Sequence, residues 1–89
     1  MEHTVLVTGA TAGFGEATAR RFLANGHKVI ALGRRVERLE ALKASLPPEE
    51  QKKLLTLAVD VCDSVKVDEL ASTLPADFAN VTVLVNNAG

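Results

Sequence analysis

Thr8-Gly9-Ala10-Thr11-Ala12-Gly13-Phe14-Gly15 lies between an apolar run, Val5-Leu6-Val7, and a stretch of helical spacing over residues 16–25. The order reads as strand, glycine-rich turn, helix. Each glycine has a separate task in that geometry. Gly9 lets the chain turn sharply off the strand end, Gly13 leaves the backbone bare so that a bulky anion can come close, and Gly15 lets the helix pack tightly on the strand. The N-terminus of the helix adds unsatisfied N–H groups and a positive dipole end, both of which favour phosphate.

This spacing is the dinucleotide-binding fingerprint with its first gap widened from one residue to three. Glycine-rich turns also occur as plain structural turns, so the remainder of the chain has to decide. Residues 4–8 form a near-continuous apolar run, as expected of a strand buried on both faces of a parallel sheet. In the helix that follows, Phe14, Ala17, Thr18, Phe22 and Leu23 recur at helical spacing, with Arg20 and Arg21 outward, and Asn25-Gly26 closes it. A second strand is expected over 28–32. A second helix is expected over 36–46, with Val36, Leu39, Leu42 and Leu46 along one stripe and Glu40 able to pair with Lys43 outside. Pro47-Pro48 stops that helix, and 49–53 reads as a charged, solvated loop. A third strand is expected over 54–59 and a fourth over 81–85. Between them a third helix, capped by Asp63 or Ser64, runs to about Leu74 before Pro75. The alternation β-α-β-α-β-α-β predicts an α/β fold: a Rossmann-type, doubly wound sheet of four parallel strands in the order 3-2-1-4, joined by three right-handed crossover helices on both faces.

Composition narrows the function classes. The chain has 89 residues, enough for one small domain, and a net charge of −1, so nothing points to nucleic acid or to an acidic membrane surface. No apolar run approaches the ~18 residues of a membrane span, and the N-terminus lacks the pattern of a signal peptide. A lone cysteine, Cys62, cannot form an internal disulfide, which fits a reducing, cytoplasmic setting.

Arg34 falls nineteen residues after Gly15, at the end of the second strand. An acidic residue at this place would grip both hydroxyls of an NAD ribose. Here the acid is missing and Arg34 and Arg35 stand instead. A planar guanidinium suits the doubly charged 2′-phosphate of NADP. One or two charge-assisted hydrogen bonds of roughly 1.5–3 kcal/mol each favour NADP over NAD by roughly ten- to a thousand-fold. The alternative, two ordinary surface charges opening a helix, is opposed by the helix dipole. Asp60 ends the third strand, where a carboxylate can accept from the exocyclic amine of adenine or simply cap a turn. Asn86-Asn87-Ala88-Gly89 follows the fourth strand, where its amides can bond the ribose or form a turn. His3 and His27 have no partner at ligand spacing, and Cys62 reads as a small packing or surface residue that nothing activates. No metal-ligand pattern, nucleophile elbow or Gly-Lys-Ser/Thr phosphate loop is present.

Taken together, the fingerprint, Arg34, Asp60-Val61 and Asn86-Asn87-Ala88-Gly89 resemble the cofactor half of the short-chain dehydrogenase/reductase family, across essentially all of the chain. The wording Thr-Gly-Ala-Thr-Ala-Gly-Phe-Gly-Glu and Gly-Arg-Arg is similar to the NADP-dependent 3-hydroxy acid dehydrogenases, which act on serine and related hydroxy acids. The resemblance implies that Gly9, Gly13 and Gly15 hold the pyrophosphate with Thr11 and Phe14 beside it. Arg34 and Arg35 take the 2′-phosphate. Asp60 meets the adenine, Val61 meets it through its backbone, Asn86 and Ala88 contact the adenosine ribose, and Asn87 ties the fourth strand to its neighbours. The family's serine and Tyr-x-x-x-Lys, in which the tyrosine is general acid/base, lie beyond this part. The chain has no tyrosine. Residues 1–89 therefore read as a dinucleotide-binding half-domain without a catalytic half, and the chain by itself is expected to be inactive.

Two other readings belong to different classes. One is a non-catalytic NADP-binding module or sensor, which a stop codon directly after Gly89 would favour over a reading frame continuing into Tyr-x-x-x-Lys. The other is a methyltransferase-like domain using S-adenosylmethionine, against which Arg34 argues, because that ribose wants a carboxylate. The expected partners are NADP(H) and either a second copy, through an exposed fourth strand, or a family-type homo-oligomer. The apolar run Val81-Thr82-Val83-Leu84-Val85 would be a template for pairing. Sedimentation of the 89-residue chain should show concentration-dependent association, and a strict monomer at high concentration would count against it.

Overall fold

The computed structural model describes residues 2–10, 13–58 and 74–86. Its sheet has four parallel strands: β1 (Thr4–Thr8), β2 (Lys28–Gly33), β3 (Leu54–Ala58) and β4 (Val83–Asn86). Their order is β3-β2-β1-β4, as the alternation predicts. The registers Val5↔Val29, Val29↔Leu54 and Val5↔Val83 align all four in one direction. Val5, Val7, Val29, Ile30, Ala31 and Leu32 are completely buried. That is why β1 and β2 read as continuous apolar runs rather than as alternating ones.

Two helices, α1 (Gly13–Ala24) and α2 (Val36–Ala44), pack side by side on one face of the sheet. Helix α1 turns Gly15, Ala19 and Leu23 inward, at steps of four residues. Two of these are small, so the helix lies close to the strands, and Leu23 fills the wider space at its far end. The expected inward set is corrected accordingly. Leu23 is buried and Phe22 packs partly against the core, but Ala17 is exposed and Phe14 is 85% exposed. A bulky stripe at the same spacing gives way because a close helix–sheet approach selects the face with the smallest side chains. The helix ends as expected at Asn25-Gly26, with Gly26 at φ +86 and its N–H bonded to the Leu23 carbonyl at 3.0 Å.

Helix α2 buries Leu39 and Leu42, and Leu46 follows just beyond its end. Val36, expected in the same stripe, is 50% exposed because the first residue of α2 stands at the sheet margin. Glu40 and Lys43 form no ion pair among the described residues; the helical pair is Glu16–Arg20, at 3.0 Å. Arg20 also donates to Ser45 Oγ at 2.7 Å, fastening α1 to the C-terminal end of α2.

The expected loop over 49–53 contains a single helical turn, α3 (Pro48–Gln51). Proline at its start pre-sets φ, and Glu49 and Glu50 complement the dipole. The Gln51 amide donates back to the Leu46 carbonyl at 2.9 Å. A 3₁₀ turn spans Ala76–Phe78, and β4 follows, two residues later than expected at its start. Pairing with β1 is led by Thr82 N–H to the Thr4 carbonyl, at 3.0 Å. The expected third helix over 63–74 and the end of the third strand at Val59 lie outside the described residues, except Leu74.

Because Leu23 is buried against the sheet, Leu23→Ala should cost about 2–5 kcal/mol in denaturant unfolding. Phe14→Ala, at an exposed position of the same helix, should change stability by no more than about 0.5 kcal/mol.

Candidate functional site

The register brings four strand ends to one edge. Thr8 lies beside Leu32 on one side and Asn86 on the other, and Gly33 lies beside Ala58. Chain direction reverses its spread at β1: β2 and β3 build outward on one side, and β4 returns to the other. In an open parallel sheet this is the switch point, where a crevice forms outside the carboxyl ends of the strands.

The turn after β1 opens into that crevice. Gly9 has φ +63, a conformation that a side chain disfavours. The next residue, Ala10, is buried, and its N–H bonds the Leu32 carbonyl at 3.1 Å, so the turn is anchored on β2. Gly13 begins α1 with φ +27, and a Cβ built on it would meet nothing within 4 Å. The backbone there faces open space. Gly15 is the opposite case. A Cβ on it would fall 2.7 Å from the carbonyl carbon of Gly9 and closer still to the oxygen. The helix start therefore sits directly on the turn, which only a residue without a side chain permits. Phe14 stands between these two glycines, exposed at the crevice margin.

Arg34 and Arg35 follow Gly33 at the end of β2 and are exposed. Arg35 is the N-cap of α2, with φ −109 and ψ 108, and no side chain caps the helix. Neither arginine makes a hydrogen bond or ion pair among the described residues. The positive charge and the free N–H groups of α2 thus stand together on the crevice side.

Of the other residues expected here, Asn86 ends β4 next to Thr8. Thr11, Asp60, Val61, Asn87 and Ala88 lie outside the described residues. Asp60 and Val61 come two and three residues after Ala58, whose position at the crevice edge is described.

His3 and His27, which have no partner at ligand spacing in the sequence, meet in the fold. The His3 backbone N–H donates to His27 Nδ1 at 3.1 Å, the rings lie 5.4 Å apart, and His3 Nδ1 contacts Thr82 Oγ1 at 3.0 Å. Accepting at Nδ1 places the His27 ring proton on Nε2. This pair sits at the opposite, N-terminal edge of the sheet. There Lys53 also donates to Glu2 and to the Gly26 carbonyl, both at 2.9 Å. The hydrogen bond from Lys53 holds the Glu2 carboxyl below the usual carboxylate range. A twenty-four-residue separation between the histidines gives no signal at the sequence level, because the contact arises only from pairing β1 with β2.

Comparison with known proteins agrees with this geometry. The profile of the short chain dehydrogenases matches residues 3–89. The chain belongs to the short-chain dehydrogenase family. It is 56% identical over 85 residues to the NADP-dependent 3-hydroxy acid dehydrogenase YdfG of Salmonella typhi, covering 96% of this chain and 33% of that protein. It is 48% identical over its whole length to the serine 3-dehydrogenase of Agrobacterium fabrum, covering 34% of that protein. A serine dehydrogenase solved in its closed form with NADP+ superimposes with a TM-score of 0.85 at 51% identity, over 97% of this chain and 33% of that one. The chain thus spans about a third of the length of the curated relatives it matches.

The two glycines that frame Phe14 should respond differently to a methyl group. Gly15→Ala forces a backbone clash and should leave little cooperative unfolding signal at the wild-type midpoint. Gly13→Ala meets only a strained φ and should cost about 1 kcal/mol. Paired thermal melts would check both, and equal losses would refute the packing role of Gly15.

Proposed function

We propose that this chain supplies the NADP(H)-binding part of a short-chain dehydrogenase, an oxidoreductase that transfers a hydride between NADP(H) and a hydroxyl or carbonyl substrate. The relatives' names point to 3-hydroxy acids of the serine type as the substrate class. The observation that carries the reading is the end of β2. Arg34 and Arg35 stand there unpaired, at the place where an acidic residue would serve the ribose of NAD.

The residues present fit such a cofactor. Space is open over Gly13, the turn is anchored by Ala10, and the adjoining cations have no partner of their own among the described residues. Gly9, Gly13 and Gly15 would hold the pyrophosphate, with Thr11 and Phe14 flanking it. Arg34 and Arg35 would hold the 2′-phosphate, Asp60 and Val61 the adenine, and Asn86 and Ala88 the ribose, with Asn87 tying β4 to its neighbours. When bound, the nicotinamide supplies or accepts the hydride. The task of these residues is to grip and orient the adenosine and pyrophosphate end. With no tyrosine among the 89 residues, the family's acid/base step has no group to run on, and these residues alone are proposed not to turn over substrate. The pairing edge is also part of this reading: β4 ends the described sheet with Leu84 65% exposed, which supports association through that strand. Among the described residues no helix is long and apolar enough to cross a membrane. Cys62 as the only cysteine supports a cytoplasmic setting.

Calorimetric titration of the purified chain with NADPH and NADH tests the reading. NADPH should bind at least about tenfold more tightly, as expected of one charge-assisted hydrogen bond, and Arg34→Ala should remove the preference. A folded chain that binds neither cofactor, or both equally, would overturn it.

A further inference from the structure

Helices α1 and α2 lie side by side with their first turns at the crevice edge, and a groove of about 290 Å³ separates them. It is lined by Glu16 and Arg20 from α1 and by Arg38, Ala41 and Leu42 from α2. Glu16 and Arg38 both belong to first turns, so this end of the groove lies at the helix starts that follow Gly13 in α1 and Arg34-Arg35 before α2.

Charge in this groove is unevenly matched. Glu16 Oε1 accepts from Arg20 Nε at 3.3 Å and from Arg20 Nη2 at 3.0 Å. Arg20 spends a further donor on Ser45 Oγ. The carboxylate of the groove is therefore already engaged, and Arg38 has no hydrogen bond or ion pair among the described residues. Arg34, Arg35 and Arg38 thus place three unpaired guanidinium groups within five consecutive residues, at the end of a helix whose dipole repels cations. The N-cap carries no side-chain hydrogen bond, and the one acid of the first turn, Glu37, forms no ion pair with any of the three among the described residues. The donors of these guanidinium groups are therefore left for an anion.

We propose that Arg38 is a third specificity-determining residue for the 2′-phosphate of NADP, acting from the first turn of α2 across the mouth of the α1–α2 groove. The inference rests on the cofactor reading above and assigns to that site a residue outside the Gly-Arg-Arg motif. Arg34 and Arg35 touch the phosphate from the strand end. Arg38 attracts it from the side of the helix, through a charge interaction that salt screens.

The test uses adenosine 2′,5′-bisphosphate and 5′-AMP, which differ only in the 2′-phosphate and need no nicotinamide pocket. Calorimetry on the wild-type chain should show the bisphosphate bound more tightly. Arg38→Ala should weaken the bisphosphate by about two- to fivefold, the scale of one partly screened charge, and leave 5′-AMP unchanged. Arg38→Lys should recover most of the loss. Arg38 is exposed, so the melting curve should not move. If Arg38→Ala binds the bisphosphate as the wild type does while Arg34→Ala loses it, the role of Arg38 is overturned and the cofactor reading stands. Equal weakening of both ligands by Arg38→Ala makes its role structural and also overturns the inference. If the wild type fails to discriminate the two ligands, both the inference and the cofactor reading fall.

Discussion

The contact on which the rest of the structure depends is the seat of Gly15 on the carbonyl of Gly9. No side chain fits between them. With that approach allowed, α1 starts immediately over the end of β1, its small inward residues Gly15 and Ala19 hold it close to the sheet, and Leu23 closes the core at its far end. The same contact sets the start of α1, where the space beside Gly13 is open. A single steric requirement therefore produces both the tight helix–sheet packing and the bare surface at which a phosphate can be received.

The two edges of the sheet divide the polar chemistry between them. At the N-terminal edge, charges and rings are satisfied internally. Lys53 and Lys28 reach Glu2, Lys28 also bonds the Asp77 carbonyl at 2.8 Å, and His3 meets His27 and Thr82. At the C-terminal edge the arginines after β2 have no such partners among the described residues. A guanidinium already committed to a carboxylate has little left to offer a phosphate, whereas the arginines after β2 keep their donors available. The Glu16–Arg20–Ser45 chain marks the boundary: it fastens α1 to α2 and consumes the acid that would otherwise neutralise the groove.

The elements that were legible in the sequence share one property, a strong local signal. Val5-Leu6-Val7 and Val29-Ile30-Ala31-Leu32 are apolar throughout because both faces of their strands are covered, and the glycine spacing between strand and helix has few other uses. Elements that were misread lacked such a signal. Phe14 and Val36 look like core residues by type, yet the first turn of each helix stands over the crevice or the sheet margin rather than over the core. The charged stretch after Pro47 forms a helical turn because proline and two glutamates suit a helix start, an effect weaker than the polarity that suggested a loop. Arg34 and Arg35 were singled out in the sequence by their distance from the glycines, whereas Arg38 drew no attention there, because its place in the groove depends on how α1 and α2 pack.

Local order and spacing by themselves determined the strand–helix alternation, the 3-2-1-4 sheet and the dinucleotide character of the first turn, since each follows from a periodicity or a steric need within a few residues. Tertiary structure alone decided which face of α1 is buried, that His3 and His27 touch, and that Arg38 shares a groove with an already neutralised Glu16. Each of these depends on the distance between elements far apart in the chain, which is set by the size of the side chains packed between them.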